Sequence, residues 1–333
     1  MSSILEAFRL GAPPWPTIDP FLFCVHHNDQ YPAGNENMSP KASLAGRNIG
    51  SDFSGKDGWS MYHGDSVPGF PRHPHRGFET VTVARQGYID HSDSLGATAR
   101  FGNGDCQWMT AGAGVVHCEM FPLVHKEKEN PTELFQIWLN LPQKEKMVPP
   151  YFTMLWKESI PFIEENNTRV DIFAGSLNGK TPPPPPPNSW AAQEESDLAI
   201  WSFTFEKDSF FTLPPCKKET NRTLYFFSGT EVMVDGTPIP KGYGLRLNPE
   251  MKVKIENNKD KAEILMLQGS PLNEPVVKHG PFVMNTREEI RQAIYDYQRT
   301  GFGGWPWKRK DPVHPSTEGR FAIHADGKKE SKG

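Results

Sequence analysis

Short runs of apolar and β-branched residues, separated by turns rich in Gly, Asn and Asp, form the main pattern of this chain. The clearest runs span residues 80–84, 134–141, 198–205, 223–227 and 263–267. The runs at 80–84 and 134–141 alternate with period two, which places every second side chain on the same face of a strand. The other three are short, mostly apolar runs bounded by turn residues, so all five predict β-strands. Short strands at this spacing are typical of a β-barrel or β-sandwich. The pattern therefore predicts an all-β fold.

The order of strands and turns in the first half resembles the order in the second half, which indicates an internal duplication. A chain of 333 residues is long enough for two domains. We expect an N-terminal domain over residues 1–150, with an extended loop at about 32–68, and a C-terminal domain over residues 151–333. Prolines at 182–187 predict a polyproline II insert in the second domain. It is either a docking segment for an SH3-like groove or, as we favour, a stiff spacer.

One helix is predicted near the C-terminal end, over residues 286–300. Asn285 or Thr286 supplies its cap, and Gly301 ends it. Apolar residues follow at the spacing of one helical face: Ile290, Ala293, Ile294 and Tyr297. This apolar stripe is expected to pack on a barrel.

Charge and composition exclude several classes of function. The formal net charge is −4 and no basic stripe is visible, so direct contact with nucleic acid is not expected. No run approaches the ~20 apolar residues of a membrane span, and the first ten residues lack the apolar core of a signal peptide. The four cysteines have no C-x-x-C spacing, which favours a reducing compartment. We expect a monomer in the cytoplasm, with the nucleus as a second compartment.

Two short clusters supply four candidate metal ligands: His73 and His75 in one, His117 and Glu119 in the other. Residues at i and i+2 of a strand point to the same face, so each cluster can present a pair of ligands. Three imidazoles and one carboxylate suit Fe, Mn, Ni, Zn or Cu better than Mg or Ca. Four protein ligands leave open positions on an octahedral ion, which indicates a catalytic site.

Four segments carry a resemblance to a known family: HPHRGFETVT (73–82), GDCQWMTAGAGVVHCEM (104–120), LFQIWLNLP (134–142) and EPVVKHGPFVMNTREEI (274–290). In this order they resemble the pirin family of the cupin superfamily. The resemblance implies two antiparallel cupin (jelly-roll) β-barrels packed face to face, with a metal in the first barrel only. It also implies that His73, His75, His117 and Glu119 hold this metal. Fe(II) is the metal expected first, with Ni, Mn, Zn or Cu as alternatives.

The resemblance implies two different functions. Some pirins are quercetin 2,3-dioxygenases, which cleave a flavonol with O₂, so a flavonol-like small-molecule substrate is expected. In that chemistry Glu119 takes the role of the base that accepts the 3-hydroxyl proton. Animal pirins are described as iron-dependent transcriptional cofactors in the nucleus. The alternative is therefore a co-regulator or redox-sensing protein that binds a protein partner without turnover. We favour the enzyme.

For several residues near the two clusters, the sequence leaves more than one role possible. In other cupins a Glu at the position of Glu79 is a metal ligand, whereas in pirins the Glu at this position lies behind the ligands. The resemblance therefore leaves two roles open for Glu79: a further candidate ligand, or a residue that orients a histidine ligand. Arg76 is expected to pair with Glu79, with binding of an anionic substrate as the alternative. Cys118 is expected to point away from the metal. Five histidines are expected in loops or at the surface: His26, His27, His63, His91 and His125.

Overall fold

The structure is a computed structural model that describes residues 2–332, and it consists mainly of β-strands. The strands up to residue 174 are β1 (Ile4–Arg9), β2 (Phe21–Tyr31), β3 (Gly69–His75), β4 (Phe78–Gln86), β5 (Tyr88–Asp93), β6 (Thr98–Gly102), β7 (Cys106–Thr110), β8 (Val115–Met120), β9 (Asn130–Asn140), β10 (Tyr151–Leu155), β11 (Phe162–Glu165) and β12 (Thr168–Ala174).

The later strands are β13 (Ala199–Phe205), β14 (Ser209–Leu213), β15 (Asn221–Ser228), β16 (Glu231–Val234), β17 (Thr237–Pro240), β18 (Tyr243–Leu247), β19 (Val253–Asn257), β20 (Ala262–Gly269), β21 (Val277–His279), β22 (Phe282–Met284), β23 (Arg320–Ile323) and β24 (Lys329–Lys332). The one α-helix of the described residues is α1 (Arg287–Thr300). Single turns of 3₁₀-helix cover Lys56–Gly58, Gln143–Glu145, Trp190–Ala192, Glu194–Ser196 and Gly301–Gly303.

The chain divides into two compact units. We call residues 26–137, 141–157 and 274–332 the first barrel, and residues 2–25, 138–140 and 158–273 the second barrel. The first barrel contains a sheet in the order β24-β23-β6-β5-β8-β3. Most residues of a second sheet, in the order β10-β7-β4-β9-β2, also belong to the first barrel. Its apolar core includes Ile89, Phe101, Met109 and Leu134, whose side chains are almost fully buried. Antiparallel pairing and this shared core confirm the predicted all-β class.

The second barrel repeats this plan with different strands. Its large sheet has the order β1-β18-β15-β20-β13-β12-β11, and its small sheet has the order β14-β19-β16-β17. The apolar core includes Trp201, Phe203, Phe211 and Ile255. The polyproline segment, residues 182–187, follows β12 without joining a strand, and several of its rings are partly buried.

This division differs from the predicted boundaries at 1–150 and 151–333. Strand β1 pairs with β18, with Ala7 opposite Leu245, so the first residues complete a sheet of the second barrel. Strand β23 pairs with β6, with Phe321 opposite Arg100, so the last residues complete a sheet of the first barrel. The boundaries differ because backbone hydrogen bonding between distant segments, rather than position along the chain, decides which unit a strand joins.

The extended loop at 32–68 contains one short 3₁₀-helix and none of the strands above, and it packs around a buried arginine. Arg47 Nη1 lies 3.0 Å from Asp52 Oδ2 and donates to the Trp59 carbonyl at 2.8 Å. Its guanidinium carbon lies 3.4 Å from the centroid of the Trp59 ring. Tyr62 donates its hydroxyl to Asp29 at 2.7 Å, which ties the end of the loop to β2. These contacts fix the loop beside the first barrel's core.

Helix α1 begins and ends as predicted. The Thr286 hydroxyl accepts from the Glu289 amide, and the Glu289 carboxylate accepts from the Thr286 amide, which forms a capping box. Gly301 ends the helix in the left-handed region, with φ 56°. Ile290 and Ala293 pack in a cluster that includes Val116 of β8. No helix in residues 2–332 combines the length and apolar character that a membrane crossing would need.

Candidate metal centre

Strands β3 and β8 bring three of the predicted ligands together. The two strands are antiparallel neighbours with His73 opposite His117, and His75 follows His73 on the same face of β3. The register shifts between Phe70 and His73, a local irregularity of the kind that is common beside active sites. Ligand atoms of His73, His75 and His117 all lie within 4.8 Å of one another. We call these residues the histidine triad.

Burial keeps the triad in the neutral form that binds metals. His117 is fully buried, His75 is 3% exposed, and His73 is partly buried. Desolvation lowers the pKa of His73 to about 4 and lowers the pKa of His75 and His117 well below the ordinary value. A neutral imidazole retains the lone pair that a metal needs.

Hydrogen bonds set the tautomer of two of the three imidazoles. His73 Nδ1 lies 2.9 Å from the Pro71 carbonyl, which can only accept, so Nδ1 carries the proton and Nε2 keeps a lone pair. His117 Nδ1 lies 3.4 Å from His91 Nδ1, and His91 Nε2 lies 3.2 Å from Asp93 Oδ2. The carboxylate accepts the Nε2 proton of His91, so His91 Nδ1 accepts from His117 Nδ1. His117 Nε2 is thereby left as a lone pair.

Glu119 lies beside the triad on the same face of β8. Its Oε2 is 3.9 Å from His117 Nε2 and accepts from Gln136 Nε2 at 3.1 Å. Its Oε1 accepts from the Thr82 hydroxyl at 3.1 Å. Burial raises the pKa of Glu119, whereas His91 and the hydrogen bonds from Thr82 and Gln136 oppose this shift. The carboxylate is therefore held at the edge of the triad by two polar side chains.

The donor set fits a transition metal. His117 Nε2 is buried and has no hydrogen-bond partner among residues 2–332, which is costly for a polar atom unless something outside the chain binds it. Imidazole nitrogens close together suit Fe, Ni, Zn and Cu. The histidine triad therefore indicates a metal site.

His91 and Asp93 lie behind the triad, although neither is a candidate site residue from the sequence. His91 was expected in a loop or at the surface, but it is fully buried on β5, opposite Glu119, with Asp93 opposite His117. The available signal was the two-residue spacing of His91 and Asp93, which places both side chains on one face if the segment is a strand. Of the other histidines placed at the surface or in loops, His63 and His125 are exposed.

His26 and His27 differ from that expectation, because both lie on β2 and are half-buried. His26 Nε2 lies 2.8 Å from Glu133 Oε1, and its ring stacks on Phe135. His27 lies edge-on to Tyr62. Cys118 points away from the triad as predicted, because it packs in an apolar cluster with Val67 and Met120.

Glu79 and Arg76 do not pair with each other as expected. Glu79 is buried, but its Oε1 accepts from Thr110 at 2.7 Å and from Trp108 Nε1 at 3.3 Å. Strand alternation places it on the opposite face of β4 from Thr82, which reaches Glu119, so the structure does not support Glu79 as a ligand, and its role in orienting a histidine stays a prediction. Arg76 does form the expected kind of contact, a salt bridge, but with Asp296 at 2.9 Å rather than with Glu79.

Aromatic and amide groups surround the site. The Phe70 ring lies 6.5 Å from the His73 ring and stacks on Tyr62, which belongs to the extended loop. Gln107 is opposite Thr82 in the paired strands, so both side chains point to the same face. The buried Gln107 Nε2 has no hydrogen-bond partner among the described residues. The site thus has an apolar wall and an amide donor available to a ligand.

Comparison with known families agrees with this geometry. The family model described as pirin matches residues 12–139, and the model described as the pirin C-terminal cupin domain matches residues 200–303. This chain belongs to the pirin family. The predicted pair of cupin domains is therefore confirmed.

Individual pirins and a related structure extend the comparison. A pirin-like protein of Solanum lycopersicum is 37% identical over 239 residues, which cover 70% of this chain and 77% of that protein. Human pirin is 35% identical over 257 residues, which cover 75% of this chain and 84% of that protein. A crystal structure of quercetin 2,3-dioxygenase from Acinetobacter baumannii has 28% identity and a TM-score of 0.70, covering 91% of this chain and 99% of that one.

Proposed function

We propose that this chain is a quercetin 2,3-dioxygenase-type enzyme that cleaves a flavonol with O₂ at a mononuclear iron centre. The observation that carries the proposal is the histidine triad, whose neutral ring nitrogens lie within 4.8 Å of one another. The similarity to the Acinetobacter baumannii structure supports the substrate class, since that protein is named as a quercetin 2,3-dioxygenase. We propose Fe(II) as the metal, with Ni, Mn, Zn or Cu as alternatives that the same donors accept.

We propose His73, His75, His117 and Glu119 as the metal ligands. Asp93 and His91 hold His117 with Nε2 directed inward, and the Pro71 carbonyl does the same for His73. A bound divalent transition ion supplies Lewis-acid stabilisation of an enolate-like substrate oxygen and redox chemistry toward O₂. Glu119 would complete the set, since its Oε2 lies 3.9 Å from His117 Nε2.

The remaining groups bind the substrate and move its proton. Glu119 accepts the proton of the 3-hydroxyl, and Gln136 and Thr82 hold the carboxylate in position while it does so. Gln107 Nε2 donates to a substrate carbonyl oxygen, which satisfies an amide that has no partner among residues 2–332. Phe70 and Tyr62 provide a flat apolar wall for the aromatic rings of a flavonol.

The test is aerobic incubation of the Fe(II)-loaded protein with quercetin, with measurement of flavonol absorbance and CO release. We expect both signals from the natural protein. Glu119→Gln should lower kcat by at least about 100-fold, the usual contribution of a general base. The matched control is Glu129→Gln, which removes an exposed carboxylate of the same barrel.

One outcome would reject the proposal in favour of the alternative function. If the protein retains iron but leaves quercetin and a panel of related flavonols intact, turnover of this class is excluded. A metal-dependent co-regulator or redox-sensing protein would then be the better description, and binding of a protein partner should differ between the Fe(II) and Fe(III) forms.

A further inference from the structure

The second barrel contains a cavity of about 580 Å³, far along the chain from the metal ligands. Trp201, Arg222 and Gln268 line it from the neighbouring strands β13, β15 and β20. These three share the face of the sheet that forms the barrel core, because the positions two residues further along each strand, such as Leu224, belong to that core. The cavity therefore lies where the apolar interior of the second barrel gives way to polar side chains.

The polyproline segment forms the wall opposite these strands. Residues 182–185 line the cavity, and Pro182, Pro183 and Pro185 are partly buried. A run of proline rings is stiff and apolar, so this wall is fixed in shape. The volume lies within the range of roughly 300–1,000 Å³ that is usual for small-molecule sites.

Arg222 brings a positive charge into this cavity. The residue is 1% exposed, donates from Nε to Gln268 Oε1 at 2.8 Å and donates from Nη1 to the Pro214 carbonyl at 2.7 Å. These bonds use two of its five N–H donors, so three remain. Within residues 2–332 it forms no ion pair with a carboxylate, whereas the equally buried Arg100 pairs with Asp90.

No titratable neighbour bonds directly to the Arg222 guanidinium. The charge of Asp197 favours the charged form of Arg222 from nearby, but its Oδ2 accepts from the Thr220 hydroxyl at 2.7 Å and from the Lys217 amide at 3.1 Å and not from Arg222. Burial raises the pKa of Cys216 to about 11 although Arg222 opposes the shift, so the thiol is neutral. Glu194 also borders the cavity but is exposed. A buried cation without a bonded anion is costly, which indicates that an anion from outside the chain belongs here.

A second, independent observation points to a ligand at the same place. Trp201 is 3% exposed, and its indole Nε1 is buried without a hydrogen-bond partner among the described residues. An indole N–H can only donate, so an acceptor is missing. The residues that line the cavity therefore include a buried cation with free donors, an indole whose donor is unpaired, and a rigid apolar wall.

We propose that this cavity binds a small organic carboxylate. The carboxylate accepts from the free guanidinium N–H groups of Arg222 and from Trp201 Nε1, and an apolar or aromatic body lies against the proline rings. The proposal does not depend on the function proposed for the metal centre, since all the cavity residues named here belong to the second barrel.

The test is calorimetric titration of the full chain with benzoate as the probe, beside benzamide as its neutral analogue and inorganic phosphate as a small anion. We expect benzoate to bind at millimolar concentration or tighter, and benzamide at least about tenfold more weakly, because charge-assisted hydrogen bonds are lost. Arg222→Gln should weaken benzoate binding at least about tenfold for the same reason. The matched control is Arg246→Gln in the same sheet, which removes a surface arginine paired with Glu6.

A further variant keeps the test valid if Arg222→Gln does not fold. Trp201→Phe retains a ring but removes the donor, and it should weaken benzoate binding by roughly two- to tenfold. Every titration is repeated after treatment with a chelator, because benzoate could also bind a metal; unchanged binding supports the cavity. The proposal is overturned by equal affinity for benzoate and benzamide, by binding that Trp201→Phe leaves unaffected, by phosphate binding as tight as benzoate, or by no benzoate binding at millimolar concentration.

Discussion

In the first barrel, strands β6, β5, β8 and β3 form the end of one sheet, and in the second barrel β17, β16, β19 and β14 follow one another in the same order. The last two strands of each set, β8 with β3 and β19 with β14, differ in the side chains that they direct into the barrel. In the first barrel His73 lies opposite His117, whereas in the second Phe211 lies opposite Ile255. The same strand positions can therefore hold either a ligand set or an apolar core, so the side chains and not the fold decide the chemistry.

Burying polar side chains at these strand positions costs free energy in the first barrel, whereas the second barrel buries apolar side chains there. The second barrel buries apolar side chains at these positions and gains the usual hydrophobic stabilisation. The first barrel buries three imidazoles and a carboxylate there, which cost free energy unless hydrogen bonds or a metal satisfy them. Asp93, His91, Thr82 and Gln136 supply part of that compensation. A metal ion would supply the rest.

The largest effect is expected from removing a triad member. His117→Ala should lower the affinity for iron by more than about 100-fold, because losing even a residue behind a ligand costs roughly 10–100-fold. Metal content of protein purified without added iron, followed by titration with Fe(II), measures this. His125→Ala, at an exposed histidine of the same barrel, is the control. Equal metal content in both variants would contradict a role of His117 in metal binding, and with it the contrast drawn between the two barrels.

The next largest effect concerns the equivalent strand of the second barrel. Phe211→Ala should lower the free energy of unfolding by about 3–5 kcal/mol, because it leaves a cavity in a close-packed core. Denaturant unfolding measures it, and iron binding should remain unchanged. Phe210→Ala is the matched control, since Phe210 is 38% exposed on the opposite face of the same strand. Similar losses from both variants would mean that β14 is not a core strand.

A smaller effect is expected behind the triad. In Asp93→Asn the amide oxygen should remain at the Oδ1 position, which accepts from the amides of Leu95 and Ala97. The NH₂ group would then donate to His91, reversing both tautomers and placing a proton on His117 Nε2. Iron affinity should fall by roughly 10–100-fold. Glu288→Gln on α1 is the exposed control, and unchanged affinity would show that the relay does not orient His117.

The two pairs of candidate ligands could be predicted from the sequence because each depends only on two-residue spacing within one strand. His73 with His75, and His117 with Glu119, share a face whatever the rest of the fold does. His91 could not be placed in this way, since its role depends on the register of β5 against β8. The odd spacing of Glu79 from Thr82 places the two side chains on opposite faces of β4, but that Thr82 faces Glu119 is visible only in the tertiary structure.

The domain boundaries could not be predicted from local pattern. Residues 4–9 lack regular alternation, and no local pattern shows that they pair with β18, more than 200 residues away. The helix could be predicted from the sequence because its capping residues and apolar stripe lie within one short segment. Only the length of the extended loop could be predicted from the sequence, since the contacts of Arg47 with Asp52 and Trp59 are visible only in the tertiary structure.

The smallest expected effect is a dependence of stability on acid pH that belongs to the loop of the first barrel. Burial acts to raise the pKa of Asp52, but hydrogen bonds from Ser54, the Met61 amide and Arg47 outweigh it and hold the pKa at about 2. A lowered pKa stabilises the folded state above the unfolded value, so this contribution is complete above about pH 4 and is lost as pH falls toward 2.

Thermal unfolding of Asp52→Asn measures this contribution. The variant should be less stable than the natural protein at neutral pH, by on the order of 1 kcal/mol, and the difference should shrink as pH falls below about 4. Glu129→Gln, at an exposed carboxylate, should show no such convergence. A constant difference at all pH values would mean that Asp52 acts through packing and not through its charge.

The pairing of β23 with β6 has a consequence for the folding of the first barrel. Strands β23 and β24, at residues 320–332, extend the sheet that also contains β8 and β3. More than 200 residues separate β23 from its partner β6, so this part of the sheet forms only when distant segments of the chain meet. Deleting residues 320–332 would therefore leave β6 as an open sheet edge while all four candidate ligand side chains remain in the chain.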